Sequence, residues 1–227
     1  MSSPNDVATD LAWSVIEARG DDALTFLQGQ LSHDLAALGD QGAWSLVLAP
    51  DSVVIAVCHV RAREDGLDLV VARDDAEATM ARLRRFLLRS QCTLELHDAT
   101  EGPFVTVAEQ IDASWPGAKE VARALTPHTF GRHFVDETIS FTKGCFTGQE
   151  LVGRLDARGS SVPWRLVRVE GSSEVEINDF LRSKGPDGPQ GMTSFVARDD
   201  RIRGLGVAHR TLLSEVPPLA ITVEEVS

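Results

Sequence analysis

Residues 141–159 read FTKGCFTGQELVGRLDARG, and the rest of the chain reads most naturally as the scaffold for this stretch. Lys143-Gly144-Cys145 sets a cation two residues from a thiol. Gly144 and Gly148 let backbone amides approach a ligand with no Cβ in the way. From Gly148 the spacing turns helical, with Leu151 and Leu155 four apart and Val152 beside them, and Gly159 stands where a C-terminal cap belongs. Cys145 therefore lies just ahead of a helix N-terminus, where the helix dipole and the Lys143 charge both favour thiolate. The roles expected are Cys145 as the reactive thiol and Lys143 as the group that activates it or binds an anion. Gln149 and Glu150 then orient or bind a ligand, and Arg154 offers a further cationic contact.

The chain has 227 residues, 43% of them hydrophobic, and a net charge of −12. It is long enough to bury a substantial core as one large or two interlocked domains. The acidic balance opposes whole-molecule attraction to nucleic acid, so direct nucleic-acid binding is not expected. No run approaches the ~20 apolar residues of a membrane span, and MSSPNDVATD at the start is polar and acidic, so the expectation is a cytoplasmic protein with no membrane partner. Cys58, Cys92 and Cys145 show no CxxC spacing. They read as reduced thiols, and no metal site is expected.

Taken in order, Leu11 to Glu17 reads as a strand, and Gly20-Asp21-Asp22 opens a helix that Asp22 can cap. Gln28-Gly29-Gln30 then interrupts the apolar spacing, after which Ser32 is placed to cap a short turn ending at Gly39. Trp44 to Leu48, Val53 to Val60 and Leu67 to Ala72 are strands, the last two joined as a hairpin across Asp65-Gly66. Asp74 to Ser90 is the strongest helical pattern, with Asp74 and Glu77 as a capping box and Arg82, Arg85 and Arg89 on its outer face. That face is either solvated or a seat for a polyanion. Thr93 to Leu96 and Phe104 to Val107 read as strands, and His128 and His133 as loop or core histidines. After Gly159 short strands separated by Gly, Pro and Asp turns predict a small all-β unit.

Three of these segments carry a family resemblance. KGCFTGQE, Lys143 to Glu150, looks like the signature of the YgfZ family, folate-binding relatives of the glycine-cleavage T protein that serve iron–sulfur enzymes; that family more often has Tyr where this chain has Phe146. GDDALTFLQGQLSHDL, Gly20 to Leu35, is similar to the family's N-terminal helix and QGQ loop, and GLGVAHR, Gly204 to Arg210, to its closing strand. The resemblance implies an α+β fold of paired ferredoxin-like units around a central opening over 1–160, followed by a small β-barrel over 161–227. It implies tetrahydrofolate or another reduced folate as cofactor, with the pterin meeting Gln28, Gln30 and Glu150 and arginines such as Arg154 holding the glutamate tail. The activity implied is accessory, for assembly or repair of iron–sulfur enzymes as client partners, with Cys145 as the reactive group.

The chain also departs from its relatives. Where the T protein carries paired aspartates on the strand after the first hairpin turn, this chain places Ala56 and Val57, and an alkyl group cannot move a proton. Ser52 stands where the family's turn before that strand usually has glycine. Aminomethyl transfer is therefore not expected. A folate-dependent transferase would need Asp34, Asp136 or Glu150 instead, and a module in which KGCFTGQE only shapes a turn is the third class.

Overall fold

Alternation of inward and outward side chains starts the first sheet. In β1 (Trp13–Arg19) Ser14, Ile16 and Ala18 are buried while the alternate residues are half-buried on the opposite face. The computed structural model describes residues 10–159 and 161–227; the N-terminal stretch up to residue 9, read above for targeting signals, lies outside them. After β1, α1 (Ala23–Gln30) buries Ala23 and Leu27. Then come β2 (Ala43–Leu48), β3 (Val54–Arg63), β4 (Gly66–Ala72), α2 (Arg73–Arg84) and β5 (Thr93–Ala99). The five strands pair antiparallel in the order β2-β3-β4-β1-β5. In the β3–β4 hairpin Arg63 pairs with Gly66, so the two loop residues are Glu64 and Asp65. α1 and α2 cover one face, where Leu27, Met80 and Leu83 meet Ile16, Leu69 and Val71.

Four short helices follow: α3 (Val107–Asp112), α4 (Ala118–Val121), α5 (Arg132–Thr138) and α6 (Gln149–Ala157). They fill the space between the first sheet and a second one. Leu46 and Val57 reach this layer from the first sheet, Leu166, Leu205 and Val207 from the second, and Trp115, Phe130, Phe134 and Val152 from between. The second sheet comprises β6 (Trp164–Gly171), β7 (Gly191–Arg198), β8 (Arg201–His209) and β9 (Thr222–Glu225), in the order β7-β8-β6-β9. α7 (Glu174–Arg182) covers its outer face through Ile177 and Leu181, packed on Val167 and Val169. The layers thus run helices, sheet, helices, sheet, helix, an α+β architecture with two antiparallel sheets.

Several expectations change. The C-terminal unit is not all-β, because Ser173 caps α7 through the Glu176 amide. Nor is it a barrel: β7 and β9 are edges of an open sheet among the described residues. The paired ferredoxin-like units do not appear either, since 107–157 forms helices and no strand. Phe104 to Val107 gives a single bridge, Asp10 to Thr106, because Thr106 and Glu109 form a reciprocal capping box that starts α3.

Capping differs as well. The Asp22 carboxylate accepts from the Gln91 amide at 2.6 Å rather than capping α1. Ser32 is buried and donates to Thr138 O at 2.6 Å, while Asp34 caps the following 3-10 turn, Leu35–Ala37. No side chain caps α2, which ends at Arg84, and Arg89 adopts φ +62 beyond it. QGQ forms the last turn of α1, not a loop.

Candidate functional site

The Lys143 side chain turns away from Cys145. Its ammonium donates to three backbone carbonyls, Gln28 O and Leu31 O at 2.7 Å and His33 O at 2.8 Å. Gln28 lies in the last turn of α1, Leu31 is its C-cap and His33 follows two residues on, so the ammonium sits at the helix C-terminus, where orphan acceptors and the negative end of the dipole attract a cation. Burial pushes the Lys143 pKa down to about 8, against the opposing pull of Asp34; at neutral pH the group keeps the charge that three acceptors require. All three N–H donors are engaged, so the expectation that Lys143 activates the thiol or grips an anion gives way to a structural clasp. The clasp does join the two motifs: Thr147 N donates to Gly29 O at 3.3 Å, and Ser140 N to Ser32 O at 3.0 Å.

The remaining predicted residues divide. Gln28 is occupied internally, donating to Asp34 Oδ1 at 2.7 Å and accepting from Leu35 N at 2.8 Å. Gln30 keeps a buried Oε1 with no partner. Glu150 and Arg154 pair with each other at 2.5 Å on the exposed face of α6. Gln149 opens α6 after Gly148, whose φ of +83 and contact with the Ala49 carbonyl demand glycine. Of the α6 apolar residues Val152 is the buried one, whereas Leu151 is exposed. Gly159, with φ +73, follows α6 as expected. Cys145 is exposed, and Cys58 and Cys92 are buried. Burial pushes Cys58 up to about 12 and raises Cys92.

Ser52 takes a φ of +65, a left-handed conformation that glycine adopts freely, and its hydroxyl donates to Gly148 O at 2.6 Å. Turn and motif loop are therefore tied together. Ala56 and Val57 are both buried on β3.

Val57 points to a second cluster. It lines a small chamber with Trp13, Trp44, Phe104, Trp115 and Asp75. The Trp44 ring lies 4.7 Å from Trp115 and stacks on Phe104 at 5.9 Å, and Trp13 Nε1 donates to Phe104 O at 2.8 Å. Desolvation within this wall, with Asp74 and Glu120 nearby, pushes the Asp75 carboxyl up to about 7. Glu120 is fully buried; its Oε2 accepts from Gly117 N at 2.8 Å, but its Oε1 has no partner, and neither has Trp115 Nε1.

The chamber itself, about 10 Å³, holds one water at most. Across Trp13, Ala72, Gln110 and Gly117 it shares walls with an outer cleft of about 250 Å³, which Asp74, Arg73, Lys119 and Phe195 also line. α2 presents Asp74, α4 presents Lys119 and β7 presents Phe195. Sequence reading missed Asp75, taking its surroundings as a helix cap; the two consecutive acids separated by one residue from the end of a buried strand were the available signal.

Neither cavity is lined by Cys145 or the QGQ amides, and neither is the larger open groove beside α1. The arginine face of α2 also changes. Arg82 is buried with its guanidinium 4.1 Å from the Phe86 ring, while Arg84, Arg85 and Arg89 are exposed. His128 is a buried core residue whose pKa burial lowers, and no cluster of metal-ligand type occurs among the described residues. None of their helices is long and apolar enough to cross a membrane.

Comparison with known proteins gives a fold. The glycine cleavage system aminomethyltransferase T from Bartonella henselae superposes with a TM-score of 0.60 over 96% of this chain and 83% of that one, at 14% identity. A Haemophilus influenzae protein described as "Uncharacterized protein" is 24% identical over 212 residues, covering 74% of this chain and 75% of that protein. No family model matches.

Proposed function

We propose that the chain binds a reduced folate in the cleft between α2, α4 and β7 and acts as an accessory protein for iron–sulfur enzymes through the exposed thiol of Cys145. The observation that carries the folate reading is the aromatic chamber with a desolvated carboxyl and orphaned polar atoms beside an open cleft. A cleft of about 250 Å³ is just under the ~300 Å³ where drug-sized pockets begin, which suits a bicyclic head group with its tail at the mouth. Asp74 lines the cleft as an acceptor for the N–H donors of a pterin, Gln110 offers both donor and acceptor, and Arg73 and Lys119 suit glutamate carboxylates, while Asp75 stands behind the shared wall in the chamber. A folate, when bound, supplies one-carbon carriage. The fold shared with the aminomethyltransferase and the resemblance at Gly20 to Leu35 support the assignment; the iron–sulfur role rests on the resemblance at Lys143 to Glu150.

Calorimetric titration with tetrahydrofolate tests it. Because Asp74 lines the cleft as an acceptor, Asp74→Asn loses about tenfold in affinity. Absence of heat above dilution would defeat the folate reading, and an unchanged affinity in Asp74→Asn would move the site elsewhere. Alkylation followed by peptide mass spectrometry checks the thiol: Cys145 labels far faster than Cys58 or Cys92, and Cys145→Ala fails to sustain client enzymes in cells.

A second reading, folate-dependent one-carbon transfer, is favoured by one observation. Asp75 lies in the same chamber as Val57 and is pushed toward the neutral range where a general base works best. Asp34, Asp136 and Glu150 are instead held by Gln28, Arg132 and Arg154. Turnover of an aminomethyl donor abolished by Asp75→Asn would select that reading.

A further inference from the structure

Two surfaces of opposite character share one end of the five-stranded sheet. β1 and β3 finish there at Arg19 and Arg63, and β4 and β5 begin there, as the pairing of Arg19 with both Gly66 and Thr93 shows. α2 returns to the same end before β5.

The first surface is a groove of about 730 Å³ between α1, the 3-10 turn and the β3–β4 hairpin. Leu24, Leu35, Leu38 and Leu67 supply its apolar lining, and Leu24 is 44% exposed. Asp21, Glu64 and Asp65 supply carboxylates at the same groove. Among the described residues Arg63 is the one cation that lines it and is held by Asp68 at 2.6 Å; Asp65 pairs with Arg19 at 3.2 Å, whereas Asp21 and Glu64 enter no ion pair.

The second surface is the turn after α2, Arg84-Arg85-Phe86-Leu87-Leu88-Arg89. Phe86 is 44% and Leu88 80% exposed, and among the described residues none of Arg84, Arg85 and Arg89 has a carboxylate partner. In a chain of net charge −12, this is a concentration of unpaired cations around two apolar side chains. The two surfaces adjoin. Gln91, two residues past Arg89, exchanges hydrogen bonds with Asp22, at 3.3 Å from the Asp22 amide and 2.6 Å to its carboxylate, while Gly20 and Asp21 line the groove.

The geometry points to a second copy of this chain as the occupant of the groove. An apolar knob ringed by arginines and an apolar groove edged by carboxylates are complementary in both charge and surface character. Because knob and groove are neighbours at one end of the molecule, a two-fold axis beside them lets each copy place its Phe86 and Leu88 in the other's groove. That is an isologous contact, which closes at the dimer. An acidic protein, a nucleic acid or an anionic membrane would satisfy the arginines alone and leave the carboxylate-edged groove unmatched.

The test is sedimentation velocity of the full chain over about a hundredfold range of concentration. Dimer is expected, weakening as salt is raised. Arg84→Glu with Arg85→Glu, and separately Asp21→Lys with Glu64→Lys, each weaken association by about tenfold or more. An equimolar mixture of the two variants regains a dimer, now hetero-dimeric, because the reversed charges again face opposite ones. Thermal melts matching the parent keep a folding defect from imitating the result. A parent chain that stays monomeric throughout overturns the inference, as does a dimer indifferent to both reversals or a mixture that fails to recombine. Binding of the monomeric parent to a nucleic acid or an anionic vesicle through the arginines would likewise overturn it in favour of that partner.

Discussion

The loop at 140–150 and the aromatic chamber around Asp75 invert what their sequences suggest. The loop is rich in residues that do chemistry, yet Lys143 is consumed by three carbonyls and Glu150 by Arg154. Gln28, from the motif the loop meets, is likewise consumed by Asp34 and Leu35. The chamber reads as core, yet Glu120 and Trp115 each keep a buried polar atom without a partner, and Asp75 is desolvated beside them. A satisfied polar group has already spent its interaction on the fold; an unsatisfied one carries a desolvation cost of about 1–3 kcal/mol that a ligand can relieve. Of the motif side chains Lys143, Gln28 and Glu150 are committed, whereas Cys145 is exposed and Gln30 Oε1 has no partner; none of them lines the cleft beside Asp74, so the thiol and the cleft are assigned to different places.

The largest effect that separates the two regions is expected at Lys143. Lys143→Met leaves three carbonyls of the α1 end without their donor and should cost about 3 kcal/mol or more in chemical denaturation. A loss below about 1 kcal/mol would mean that the clasp is incidental and the lysine is free for another role.

Asp75 gives the opposite sign. Its folded pKa lies near 7, above the ordinary 3.8, so the native state holds a proton that the unfolded chain releases. Stability from this group is therefore intact below the unfolded value and is lost as pH rises through the folded one. Asp75→Asn removes the penalty and should stabilise the protein at pH 8 by on the order of 2 kcal/mol, with a smaller gain at pH 5, in parallel denaturant melts. An equal gain at both would show that the carboxyl is not desolvated.

The smallest test concerns the tie between turn and loop. Ser52→Ala keeps the left-handed φ and loses the bond to Gly148 O, at a cost of about 1 kcal/mol. Ser52→Gly loses the same bond but relieves the backbone, so it should be close to neutral. If the two variants melt alike, the φ of Ser52 carries no strain.

Legibility followed the range of the interactions. The β3–β4 hairpin, the helix after Gly148 and the glycine that follows it depend on neighbours in sequence and were readable there. α7 and the start of α3 were also local, signalled by Ser173 with Glu176 and by Thr106 with Glu109, but short apolar runs beside them outweighed the caps. The chamber was not readable, because Trp44, Phe104 and Trp115 come to Asp75 from three separate segments. Lys143 misled for the same reason: its acceptors lie more than a hundred residues away, and the thiol two residues along the chain is not among its partners.

That distance has a bearing on how the chain assembles. The Lys143 bonds join positions separated by 110, 112 and 115 residues, so the loop they close contains most of the first sheet and the helices after it. Closing so long a loop costs only slightly more entropy than closing a shorter one, but it is rewarded only when the intervening elements already hold the ends together. During synthesis α1 and the first sheet emerge well before residue 143, and the C-terminal end of α1 must keep its carbonyls hydrated until the lysine arrives. The clasp is then a late checkpoint in folding, and amides in the 28–33 and 143–147 segments should gain protection from hydrogen exchange together and after the sheet.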